Sequence, residues 1–168
     1  PYPGEIVIIP DSIQKYQFYF DLESRSIAAR HPINTWQLGF ESTSDGWHIL
    51  TNSGNSWFIY NTGITTEPIP GMPGKLKGLY DVLHAWPDST AVGDWVSFEN
   101  GLARYTQNIY LLGKYTNGEF TELRQIVFLE VSDTSYSFRY THLVGGFSDT
   151  ITISKEPGVN FVYFDFNT

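Results

Sequence analysis

The sequence predicts an all-β domain, a mostly antiparallel pair of sheets packed as a sandwich, and three observations point there. Aromatic residues make up 17% of the chain, with 11 Tyr and 12 Phe, and runs rich in Ala, Leu, Glu and Lys are missing, a balance that suits strands better than helices. Gly, Pro, Asn and Asp recur at short intervals, and an architecture of many short strands is what uses so many turns. Between those turns, apolar and polar residues alternate with the period of two that sets one row of a strand against a core. At 168 residues the chain is read as one domain over 1–168, long enough to bury roughly 70% of its unfolded surface.

The densest stretch is 34–63, NTWQLGFESTSDGWHILTNSGNSWFIYNTG, which holds three of the five tryptophans. Trp36, Leu38 and Phe40 alternate with Gln37, Gly39 and Glu41; after a turn at Ser44, Asp45 and Gly46, Trp47, Ile49 and Thr51 alternate with His48, Leu50 and Asn52. The NSGNS turn offers Asn and Gly where a positive φ is needed, and Trp57 to Tyr60 reads as a third strand. This meander is either the centre of the core or an aromatic platform for a ligand.

Before it, Glu5 to Ile9 reads as an edge strand closed by Pro10. Tyr16, Phe18, Phe20 and Leu22 share a face of a half-buried strand, Glu23 to Ser26 turn, and Ile27 to Arg30 return before His31 and Pro32 leave the pairing. After it, residues 64–77 (ITTEPIPGMPGKLK) are irregular, with the only methionine, Met72, among prolines and glycines. Leu76, Leu79, Tyr80, Leu83 and His84 then recur at helical steps, which predicts one short helix from Leu76 to Trp86, stopped by Pro87. Strands resume with Asp94 to Glu99, a turn at Asn100-Gly101, and Tyr105 to Tyr115 broken by Gly113. Asn117-Gly118 is the strongest short hairpin signal in the chain and leads to Phe120–Val131, whose Ile126–Leu129 are apolar without interruption and so are expected to be covered on both faces. Tyr136, Phe138, Tyr140 and His142 form one row, and Thr150 to Ser154 and Phe161 to Phe166 close the chain as strands. The count comes to about ten strands and one helix.

Composition excludes several functions. The net charge of −8 with ten scattered Lys and Arg leaves no basic stripe for nucleic acid. No apolar run has the length of a membrane span. There is no cysteine, hence no disulfide and no thiolate ligand. The histidines at 31, 48, 84 and 142 lack metal-site spacing, and no nucleophile elbow or phosphate loop is present. A carboxylate pair such as Glu41 with Glu99 is the only enzymatic arrangement to consider, for glycoside hydrolysis, and a non-enzymatic binding protein is the expectation. Trp47 and Trp57 are the aromatics to consider for stacking on a carbohydrate.

WQLGFES followed by HILTNSGNS resembles the HmuY-like family of heme-binding outer-membrane lipoproteins of Gram-negative bacteria. TTEPIP, GDWVSFENG, RQIVFLEV with SYSFRYTHL, and the closing FVYFDF extend the similarity in the same order over most of the chain. The resemblance implies a right-hand-shaped all-β fold that grips heme between loops, with histidine or methionine on the iron. It also implies an exported protein, lipid-anchored at the cell surface by a cysteine upstream of Pro1, whose partners are heme or another apolar small molecule and an outer-membrane receptor. Where histidine-ligated members place one ligand, this chain has Glu99-Asn100-Gly101, so His84 and Met72 are the axial candidates. Asn100, Tyr80 and Trp86 are candidates for the pocket, and Lys75, Lys77 and Arg104 for offsetting the heme propionates against the acidic chain.

Overall fold

The computed structural model describes residues 16–21, 23–66, 90–142, 148 and 150–167. In chain order the strands are β1 (Tyr16–Asp21), β2 (Ser26–Pro32), β3 (Leu38–Glu41), β4 (Ile49–Thr51) and β5 (Trp57–Asn61). They continue as β6 (Val96–Glu99), β7 (Leu102–Tyr105), β8 (Ile109–Thr116), β9 (Glu119–Val131), β10 (Ser135–His142), β11 (Ile151–Ser154) and β12 (Phe161–Phe164). The one helical element among the described residues is a 3-10 turn, Ser53–Asn55. The expected edge strand at Glu5–Ile9 and the expected helix at Leu76–Trp86 lie outside the described residues.

Every pairing among the described residues is antiparallel. A five-stranded sheet runs β11-β10-β9-β8-β5, a three-stranded sheet runs β12-β3-β4, and β1-β2 and β6-β7 are separate hairpins. The all-β, sandwich-like expectation holds. The core lies between the two larger sheets: Leu38, Phe40 and Ile49 of one meet Ile59, Ile126 and Phe138 of the other, with the Phe40 ring 5.4 Å from Phe138 and 5.1 Å from Tyr136. The second face of β8 and β9 is buried too, at Ile109, Leu111 and Val127, so the uninterrupted apolar run is covered on both sides as its composition requires.

The stretch 34–63 is not a meander. β3 and β4 pair with each other, but β5 crosses to the edge of the five-stranded sheet and pairs with β8. The crossing is made by the 3-10 turn, and its positive φ, 60°, falls on Ser56 rather than on Gly54 or Asn55. Asn52 holds it in place: its Nδ2 donates to the Ile33 and Trp36 carbonyls and its Oδ1 accepts from Asn55 N.

Other boundaries shift for local reasons. His31 and Pro32 stay in β2, opposite Gln17 and Tyr16, and a bulge between Tyr19 and Phe20 interrupts the expected alternation. The run 105–115 is broken at 106–108, where Gln107 takes a positive φ, and not at Gly113, which sits in a bulge between β8 and β9. A Cβ there would come within 2.6 Å of the Leu123 side chain, so glycine admits that side chain across the strand. Asn100-Gly101 and Asn117-Gly118 both have φ > 0 at two successive residues, the turn that matches strand twist in two-residue hairpins. The alternation and apolar runs of the sequence put Trp36, Leu38, Phe40, Phe128 and Phe164 in the core; the first four are buried there, whereas Phe164 is only partly buried at its edge.

Candidate functional site

At one end of the sandwich, two loops and a hairpin enclose an open cleft of about 390 Å³ lined by Ser44, Asp45, Gly46, Trp47, Phe98, Val131, Ser132 and Asp133. Phe98 reaches it from β6. It shares a face with Val96, but Val96 is buried and Phe98, one residue from the turn, overhangs the body and is 54% exposed. Tyr105 ties this hairpin down by donating from its hydroxyl to the Val131 carbonyl at 3.1 Å. On the far wall, the turn after β9 is closed by Ser132, whose Oγ accepts from Thr134 N and Ser135 N.

The 42–48 loop that carries Trp47 is held from behind. One oxygen of Glu41, Oε2, accepts from Trp47 N at 3.1 Å and His48 N at 3.3 Å and lies 2.7 Å from His48 Nδ1; the other accepts from Thr43 Oγ1 at 3.0 Å. The His48 ring stacks on Trp47 with centroids 4.0 Å apart. Trp95 Nε1 donates to the Trp47 carbonyl at 2.9 Å. The Tyr136 hydroxyl reaches the Glu41 and Gly46 carbonyls at 2.9 and 3.0 Å. Trp47 is thus a wall fixed by hydrogen bonds on several sides, the kind of preorganised surface a binding site needs.

The rim is acidic, since Asp45 and Asp133 are both exposed. Lys155 lies beneath the rim: its Nζ is turned under the loop, donating to Gly46 O at 2.7 Å and Ser44 O at 3.1 Å, and lies 5.1 Å from the centre of the Tyr136 ring. Burial lowers the Lys155 pKa, with Glu41, Asp133 and Asp45 opposing that shift. Burial raises the Tyr136 hydroxyl well above its ordinary value, and the nearby Glu41 charge adds to it, so Tyr136 serves as a neutral donor at any ordinary pH.

The structure does not use the considered carboxylates as a pair. Glu41 is committed to His48 and the loop, while Glu99 stands exposed with Arg104 Nε at 3.8 Å. Of the tryptophans considered for stacking, Trp57 is 1% exposed and belongs to the core, which leaves Trp47. Asp45, Asp133 and Phe98 were not legible as site residues: each sits in or beside an ordinary turn, and only the packing of β3–β4, β6–β7 and β9–β10 brings them together.

Of the residues considered for heme, Met72, Lys75, Lys77, Tyr80, His84 and Trp86 lie outside the described residues. Asn100 is exposed at the tip of the β6–β7 hairpin with φ 52°, and Arg104 is exposed beside Glu99. Only two of the eight residues considered for heme are thus described, both at the surface of the β6–β7 hairpin. No cluster of three or more His, Asp or Glu that could hold a metal ion occurs among the described residues. No family model, characterised protein or solved structure matches this chain.

Proposed function

We propose that this is a non-enzymatic binding module whose Trp47–Phe98 cleft takes a neutral saccharide. The observation that carries the reading is the pairing of a half-buried Trp47 and an exposed Phe98 with two rim carboxylates, Asp45 and Asp133, in one open cleft of about 390 Å³. A pyranose ring has an apolar C–H face that lies on an aromatic ring and a fringe of hydroxyls that donate to carboxylates. Hydrogen bonds to ionised acceptors are the stronger kind, and a mostly apolar pocket with a few placed polar groups is what orients a small ligand. An anionic ligand is disfavoured by the same two carboxylates. The exported, surface-anchored setting implied by the HmuY-like resemblance suits a glycan-binding module.

The test is binding of the intact chain to immobilised neutral glycans, compared with F98A and D133N. Both positions are exposed, so these variants leave the core intact, and each is expected to weaken binding about tenfold, or about 1.4 kcal/mol. Binding that is absent, or unchanged in both variants, overturns the reading. Titration with hemin separates the other expectation: a Soret shift retained in F98A and lost in H84A favours heme held outside the cleft.

A further inference from the structure

We propose that Arg124 is a second binding site, an anion receptor that takes the carboxylate or phosphate head of a small molecule at the end of the sandwich away from the Trp47 cleft. Arg124 lies on β9 seven residues before Val131, which at roughly 3.3 Å per residue is more than 20 Å from the cleft. It alternates with Ile126 and Phe128, so its side chain enters the interior face, and it is only 6% exposed. A bulge aims it there. The register of β8 and β9 shifts between Leu112 and Lys114, and Glu122, a non-glycine residue, is held at φ 52°; bulges and such residues recur where a side chain is redirected for a purpose.

Among the described residues, Arg124 has no counter-charge. Its Nη1 donates to the Glu122 carbonyl at 2.8 Å, its guanidinium lies 5.2 Å from the centre of the Phe166 ring, and its buried Nε has no acceptor. The neighbouring carboxylate of Glu122 lies instead at 3.7 Å from Lys114 Nζ. Removing a charge from water without pairing it is costly, and a guanidinium with one Nη occupied keeps the Nε edge for the side-on, two-point contact that a flat carboxylate or a phosphate accepts. His142 stands directly across from Arg124 on β10 and is exposed. Opposed residues of an antiparallel pair share a face, so an imidazole marks the rim on the same side.

Arginine-detected NMR on the intact chain tests this. The Arg124 Nε–Hε signal, identified by its loss in R124K, is followed while inorganic phosphate and, separately, propionate are added at constant ionic strength. The expected result is a saturable downfield shift with at least one of them, about tenfold weaker binding in R124K, and a rise in melting temperature with the anion that is missing in R124M. A response to phosphate alone assigns the site to phosphorylated ligands, and one to propionate alone to carboxylates. No Nε–Hε shift with either anion, or an equal rise in melting temperature in R124M, overturns the proposal and leaves Arg124 as a packing group on Phe166. Because R124M removes a buried unpaired charge, it is expected to fold; the wild-type titration and R124K decide the matter without it.

Discussion

His48 Nδ1 lies 2.7 Å from Glu41 Oε2, and the same carboxylate oxygen also accepts from the backbone N–H groups of Trp47 and His48. One side chain at the end of β3 therefore sets the path of the loop that carries the Trp47 wall. Replacing Glu41 by Ala is expected to cost about 1.5–3 kcal/mol, the range for hydrogen bonds to a charged group, and to weaken ligand binding at the cleft. Urea denaturation of E41A, H48A and the double variant measures it. A coupling between the two positions indistinguishable from zero would show that the loop holds without the pair.

Alkaline stability follows from two buried tyrosines. Burial pushes Tyr110 up to about 12 from 10.0, partly offset by a hydrogen bond with Thr106 and reinforced by Asp94, and burial also raises Tyr136. Between those values the unfolded chain sheds phenolic protons that the folded chain keeps. Stability is complete below pH 10 and falls as pH rises, by about 2–3 kcal/mol between pH 10 and 12 for Tyr110 alone. Lys155, lowered from 10.5, acts with the opposite sign as pH approaches its ordinary value, one group against two. Denaturant midpoints across this range are expected to decline, and Y110F to decline less steeply. Equal slopes for the two proteins would contradict the assignment.

Asn52 works by having both an amide and a carbonyl. Its Nδ2 donates to Trp36 O at 2.9 Å and to Ile33 O, while its Oδ1 accepts from Asn55 N at 3.2 Å. Asn52→Ala leaves buried carbonyls unpaired and is expected to cost about 2–4 kcal/mol. Asn52→Asp is expected to be worse still, because it turns a carboxylate toward two carbonyl oxygens and adds a buried charge. Thermal unfolding of the two variants ranks them, and an aspartate variant as stable as wild type would show that the crossing into β5 does not depend on this contact.

The hairpin turns at Asn100-Gly101 and Asn117-Gly118 were legible because positive φ at two successive residues is a local demand that those residue types meet. The site was much less so. Trp47 and Trp57 sit in similar alternating runs, yet one lines a cleft and the other is 1% exposed, a difference made by the change of sheet at Ser53–Ser56. Arg124 carried no signal at all: an arginine in a strand is ordinarily solvated, and its burial depends on a bulge and on Phe166 arriving from 42 positions further along the chain.

By itself, the order of residues determined the strand-rich class, the positions of most strands and turns, and the burial of Trp36, Leu38, Phe40 and Phe128, because alternation and turn chemistry act over a few residues. Only the tertiary structure decided which strands share a sheet, which aromatics line a cleft, and which charged side chains are buried. Those outcomes depend on contacts between residues distant in sequence, such as Lys155 with Gly46, Tyr136 with Glu41 and Phe166 with Gln37, where the burial of one partner is fixed by the packing of the other.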